Sequence, residues 1–529
     1  MSDELFVGID VGSASVRAGI FDRQGQRLAF ATRAIQQFKP LPLFVEQSSA
    51  DIWAQTCAAL HEALATPGVD ATKVVALGVD ATCSLVAVDA DGQPVSLAQD
   101  GAPDHDIIMW MDHRAAQQTK AINATKDEAL KYVGGEVSIE MELPKVLWFK
   151  QNFPERYAST WRFFDLADYL VWRACGNDAA SVCTLTCKWN YLAHEDRFSE
   201  SLLKAVGLDD LPGKLPTRVL PLGSAAGKLG LLAARELGLP AGTVVATGII
   251  DAHAGGLALV GTAPQGSLAI IGGTSNCHMV VSQAPVLVPG VWGPYWGAML
   301  PGYWLNEGGQ SAAGALLDWT LRQSDAWPLL ESTAQAQQTN VYAVLNGWLA
   351  DLEAREPWPT RHLHVLGDHH GNRSPRANPD ARGLVVGLTL ESGRDALARL
   401  YLATLQALAY GTRHIIESMN NAGHQITRIL MCGGGTKNPY WLREHADATG
   451  CEIHLVSEED AVTLGAALLG AAASGVFTSL PAAAAAMVQA GGSLAARPQT
   501  KAFHDAKYAV YLQLYQNMLT SRAAMRDWS

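Results

Sequence analysis

Residues 8–20, GIDVGSASVRAGI, gather an acid, two hydroxyls, a glycine and a guanidinium in and around one turn. Apolar residues alternate on both sides, Ile9 and Val11 before it and Val16 to Ile20 after it, as in the strands of a hairpin. An ordinary hairpin turn needs none of that chemistry. A phosphate does, because several N–H and O–H donors must converge on it from a backbone that can come close, and glycine permits the approach. Gly12, Ser13 and Ser15 supply the donors, Arg17 follows them, and Asp10 at the mouth of the turn is placed to hold Mg2+ directly or through water. SLAIIGGTSNCHMVV, residues 267–281, repeats strand, hydroxyl-bearing glycine turn and strand, with Gly273, Thr274 and Ser275 as donors. Singly, each reads as a tight turn. Together, one at the start of each half, they read as a duplicated unit whose two donor loops grip a triphosphate from both sides.

Other stretches carry further chemistry. GGGTKN (433–438) ends a strand with three glycines, so that backbone at Gly434 and Gly435 can lie against a nucleotide base or ribose, with Asn438 as a polar contact; the alternative is a plain strand-to-helix turn. GSAAGKL (223–229) falls one residue short of a P-loop between its glycines and has Leu229 where Ser or Thr must follow the lysine, so it reads as a loop. In GIIDAHAGG (248–256), Asp251 precedes small residues that leave it open to a substrate, and it can equally start a helix. Lys188, in SVCTLTCKWNYL, stands among apolar and aromatic residues, a costly position unless its ammonium meets a polar partner. The three histidines of LHVLGDHHGNRSPRANPDARG (363–383) lack the spacing of a zinc set, and Cys183 and Cys187 lack a second pair.

The elements that must position these residues alternate short apolar runs with amphipathic segments, which argues for α/β layers. Ser48 or Ser49 caps a helix with Trp53, Cys57, Leu60 and Leu64 on one face, and residues 74–95 read as two strands with an Asp91-Gly92 turn. After RILMCGGG comes a helix, then a strand, then a helix capped near Asp460, where Gly465 and Gly470 allow close packing. The glycine-rich 255–261 stretch reads as a joint, the alanine-rich 480–492 stretch as a surface helix, and the Tyr508–Leu519 spacing as a docked tail. With 529 residues, 48% of them hydrophobic, the chain needs more than one core. A net charge of −12 argues against a nucleic-acid partner. Eight scattered cysteines, no signal-like leader and no unbroken apolar span point to a reduced, cytoplasmic protein without a membrane partner.

The two hairpins, the GGG turn and DAHAGG, in this order and spacing from Phe6 to about Gly475, resemble the FGGY carbohydrate kinases of the actin-like, RNase H-like ATPase superfamily. The resemblance implies two actin-like α/β domains, here 1–258 and 259–480 with a helical tail 481–529, and an active site in the cleft between them. It implies ATP and Mg2+, with Asp251 as general base for a sugar hydroxyl. TCSLV at 82–86, with Cys83 lining the sugar, resembles the ribulokinase branch, as does the segment with Lys188 on the substrate. LNEGGQSAAGALLDW assigns Glu307 to the sugar and Gly314 to the nucleotide, and MWMDHRA assigns Asp112 and Arg114 to hydroxyl contacts or the layer behind them. The implied reaction is phosphorylation of the terminal hydroxyl of a ketopentose, D-ribulose first, with L-ribulose, xylulose or a polyol as alternatives. An actin-like chaperone ATPase is the alternative of another class. A homodimer is compatible with the family.

Overall fold

The computed structural model describes residues 3–528, and two seven-stranded sheets form the centres of its two lobes. In the first, Leu5–Val11 and Ser15–Phe21 pair antiparallel with Asp10 opposite Arg17, and Arg27–Ala34 extends the meander. Val74–Ala81 joins the other side of Leu5–Val11 in parallel, followed by Val244–Ala246. The second sheet repeats the plan. Ser267–Gly272, Asn276–Ser282 and Trp304–Gln310 form an antiparallel meander, and Arg428–Gly433 and Glu452–Val456 add in parallel beyond its first strand. The duplication seen in the hairpins is therefore the plan of both sheets. Each turn is closed by its own backbone: the Gly12 N–H donates to the Ser15 carbonyl at 3.0 Å, and the Gly273 N–H to the Ser275 carbonyl at 2.9 Å.

Helices Asp251–Val260 and Ala461–Ala473 pack on each other between the sheets, the first against Ser267–Gly272 and the second against Leu5–Val11 and Val74–Ala81. Small residues allow this approach. A Cβ on Gly8 would lie 2.0 Å from the Thr463 carbonyl oxygen, and one on Gly78 would lie 1.8 Å from that of Ala466. Residues 461–473, which follow the second hairpin in sequence, thus lie against the first sheet. The same packing explains the small residues at 255–261: up to Val260 they are the buried end of a helix, with Gly255 facing Ile271.

Two smaller expectations also change. Ala225–Lys228, within the P-loop-like stretch, forms an edge strand of the first sheet rather than a loop. The alanine-rich stretch is a short helix, Leu480–Met487, that buries Ala483, Ala484 and Met487, and then a strand, Ala490–Leu494. Helix Ser49–Leu64 is capped by Ser48, and helix Lys501–Ala524 docks through Tyr508, Tyr511, Leu514 and Met518. Among the described residues no helix is long and apolar enough to cross a membrane.

Candidate active site

Where the first hairpin meets helix Ala461–Ala473, carboxylates crowd together. Asp10 and Asp80 are direct neighbours on paired parallel strands, both fully buried, and neither carboxylate receives a hydrogen bond of ordinary geometry. Burial and the nearby negative charges raise the pKa of both above the usual carboxylate range. Two adjacent buried carboxylates suit a hard divalent cation, so Asp10 and Asp80 fit the Mg2+ expected at Asp10. Arg17 does not point at a free phosphate position. Its guanidinium pairs with Asp10 and, at 2.8 Å, with Asp460, which caps helix Ala461–Ala473, so one cation ties the two halves of the sequence together.

The donor turns differ in how much of them is free. Ser13 is held in place: its hydroxyl accepts from the Trp110 indole at 3.0 Å and its carbonyl from the Gln37 amide at 2.6 Å. Gly12 and Ser15 are half-buried, while Gly273 and Thr274 are exposed. The N-terminal end of helix Gly314–Arg322 braces the second turn, with the Gly314 N–H donating to the Gly273 carbonyl at 3.0 Å and the Ala313 N–H to that of Thr274 at 2.8 Å. A Cβ on Gly314 would lie 2.7 Å from the Gly273 oxygen, so Gly314 braces the turn. Of the triple-glycine pair, Gly434 faces open space and Gly435 packs on Trp441. Asn438 is not available to a base: it caps helix Pro439–Thr449 and donates to the Tyr401 hydroxyl at 2.6 Å.

On the other side of this cluster, Asp251 begins its helix directly after strand Ile249–Ile250, which pairs beside Asp80. Its carboxylate accepts from the Ala252 N–H at 2.7 Å. Burial raises its pKa, opposed by that bond and by the charges of His253, Arg17 and Lys188. Lys188 ends helix Val182–Lys188 with its ammonium 4.9 Å from the centre of the Trp292 ring. Burial disfavours its charge, but the ionised Glu307 carboxylate nearby favours it, and its pKa lies above the usual ammonium range. Glu307 bonds His253 at 3.0 Å. Burial would raise Glu307, but His253, then Lys188 and Arg373, hold it down at about 2. Cys83 is buried beside Lys188, which burial drives to the thiol form.

Asp112 and Arg114 belong behind this site. Arg114 bonds Asp112 and, at 2.7 Å, Glu46, and packs on Phe44; Asp112 also accepts from the Val45 N–H at 2.6 Å. Both side chains are sealed from solvent, and this buried ion network satisfies their polar atoms, so neither presents a donor to a hydroxyl.

Four participants escaped the sequence reading. Asp80 had a signal, since GVDA at 78–81 repeats GIDV at 8–11 and the two align residue for residue across the parallel pair. His253 sits two residues past Asp251 yet was passed over as part of a small-residue run. Arg373 comes from the histidine-rich loop and reaches 5.3 Å from the Trp292 ring, with Glu140 at 3.4 Å. Tyr295 lies beside Lys188 with its buried hydroxyl unpartnered among the described residues. A cavity of about 800 Å³ opens elsewhere, among Trp358, Leu363, Leu388 and Leu400, and is lined by none of these groups.

Comparison with known proteins bears on this arrangement. Residues 5–258 match the N-terminal domain and residues 268–474 the C-terminal domain of the FGGY family of carbohydrate kinases. An FGGY carbohydrate kinase domain-containing protein of Homo sapiens is 45% identical over 546 residues, covering 99% of this chain and 98% of its own. A D-ribulokinase of Saccharomyces cerevisiae is 37% identical over 517 residues, covering 90% of this chain and 72% of its own. The xylulose kinase of Rhodospirillum rubrum shares the fold, with a TM-score of 0.81 at 22% identity over 99% of each chain.

Proposed function

This chain belongs to the FGGY family of carbohydrate kinases and is a sugar kinase with the two-domain α/β ATPase fold, and we propose that its acceptor is a ketopentose, D-ribulose, phosphorylated on the 5-hydroxyl. The observation that carries the reading is the place of Asp251. It stands within electrostatic reach of the Asp10–Asp80 pair on the phosphate side and of Lys188 on the other. A hydroxyl bound against Lys188 and Glu307 would meet both the base and the γ-phosphate.

The steps follow from those groups. The Lys188 ammonium and the Glu307 carboxylate offer one donor and one acceptor to sugar hydroxyls, which fixes the orientation of the chain. Asp251 accepts the proton of the terminal hydroxyl as its oxygen attacks the γ-phosphorus in line, and ADP leaves. Burial helps here, because a raised carboxylate pKa gives a stronger base, a rise that the Ala252 N–H and the charges of His253, Arg17 and Lys188 limit. Gly12, Ser13 and Ser15 approach the phosphates from one lobe and Gly273 and Thr274 from the other. Gly434 leaves room for the ribose or base. Mg2+, held by Asp10 and Asp80, would neutralise charge on the phosphates.

D-ribulose, over other ketopentoses, is supported by the yeast relative and by TCSLV at 82–86, where Cys83 lies beside Lys188. The test is a coupled ADP-release assay over the ketopentoses and common polyols. Highest kcat/KM for D-ribulose is the expected result; a clear preference for L-ribulose, xylulose or a polyol would refute the assignment.

A further inference from the structure

Helix Val182–Lys188 carries two thiols one turn apart on its buried face, Cys183 and Cys187. The Cys183 sulfur lies 3.1 Å from Nδ1 of His253, and Nε2 of the same ring lies 3.0 Å from a Glu307 oxygen. All three side chains are buried, on three different elements, and their polar atoms form one line that ends beside Lys188. We infer that Cys183 is a thiolate that, through the His253 imidazolium, fixes Glu307 as an ionised carboxylate facing the sugar, making Cys183 and His253 positioning residues of the kinase.

The Cys183 sulfur has Nδ1 of His253 at 3.1 Å, and the neighbouring Cys187 thiol and Ile250 N–H add to the groups that favour its charged form. Such a set favours the thiolate over the thiol, as does the imidazolium itself. His253 in turn lies between two anions, so both of its ring nitrogens have an acceptor, which holds it in the protonated form despite burial. Asp165 and Asp168 also feel the charge at Cys183, both with pKa values raised by burial and neither, as a carboxylate, able to replace the imidazolium as a partner. Cys183, Cys187 and His253 also have their donor atoms within 4.8 Å of one another, a spacing that invites a metal ion. The 3.1 Å contact argues for a direct bond, since sulfur and nitrogen on a tetrahedral zinc stand roughly 3.5 Å apart. The consequence is functional. Without His253, only Lys188 and Arg373 would oppose the burial of Glu307, which shifts its carboxylate toward the protonated form and so from acceptor toward donor, against its fit to the sugar hydroxyl.

The inference rests on the proposed role of Glu307, and its test separates the two. C183S, C183A, C183D and H253Q are compared with wild type and E307Q by sugar and ATP kinetics, ultraviolet difference spectra and zinc content. We expect C183A and H253Q to raise the sugar KM about tenfold or more with ATP KM changed less than about twofold. C183D, which restores an anion, should return the sugar KM to within about threefold of wild type. The thiolate band of the wild type at neutral pH should be absent from C183S and H253Q. Unchanged sugar KM in folded C183A and H253Q, no thiolate band, no rescue by C183D, or stoichiometric zinc in the purified enzyme would each overturn the relay. An unchanged sugar KM in E307Q would instead overturn the role of Glu307, and with it the link from thiolate to sugar.

Discussion

Asp251 and Lys188 sit in surroundings that oppose burial in different ways. Asp251 keeps an elevated pKa because desolvation outweighs its one backbone bond and its cationic neighbours. As the proposed base it must be ionised, so kcat/KM for the sugar should fall as pH drops through a pKa above the ordinary carboxylate range. An acid limb at the usual carboxylate value, or none, would argue against it. Lys188 keeps its charge because Glu307 lies close. Lys188→Met retains the stem and removes the donor, so sugar KM should rise by about tenfold or more while ATP KM holds. A rise in ATP KM instead would move Lys188 to the nucleotide. Asp80→Asn should raise the Mg2+ concentration needed for half-maximal rate, as Asp10→Ala should; an unchanged Mg2+ requirement in Asp80→Asn would remove it from the metal. At this scale, legibility followed locality. Asp251 and Lys188 stand in short motifs whose residue types already state a chemistry, whereas Asp80 acquires meaning only through its register with Asp10. Asp112 and Arg114 misled because two charged residues near a strand end look alike whether they face a ligand or each other.

The two hairpins were readable because alternation and glycine mark them directly. Their bracing was not. Nothing local shows that Gly314 supports the second turn, since the contact joins residues some forty positions apart. Gly273 itself faces open space, with the nearest atom 3.8 Å from an added Cβ. Gly273→Val should therefore fold, yet block the approach of a phosphate and raise ATP KM with little change in sugar binding. Unaltered ATP kinetics would reduce that hairpin to a turn. Gly78 makes the opposite case, because its added Cβ would strike the Ala466 backbone. Gly78→Ala should lower stability by roughly 1–3 kcal/mol in urea unfolding, the usual range for overpacking a tight contact. A neutral effect would mean that helix Ala461–Ala473 yields easily. The composition of 465–470 suggested such packing, but not that its partner would be the first sheet.

Between lobes, the molecule is held by helices Asp251–Val260 and Ala461–Ala473 and by Arg17 joining Asp10 to Asp460. The duplicated plan could be read from paired hairpins, while the crossing of the second helix to the first sheet could not, because periodicity identifies a buried face without naming its partner. The groups proposed for phosphate and for sugar come from both halves, so the two ligands together should draw the lobes in and exclude water. Small-angle scattering should give a smaller radius of gyration with ketopentose and a non-hydrolysable ATP analogue than with neither; no change would contradict closure. The most direct measurement is D-ribulose phosphorylation by wild type and Asp251→Asn, with sugar binding followed on the same samples. Asp251 as base predicts D-ribulose 5-phosphate from the wild type, a loss in kcat on the order of 10²–10⁴ in the variant, and sugar affinity kept within a few-fold. Near-wild-type turnover by Asp251→Asn, or no phosphorylated pentulose from the wild type, would contradict it.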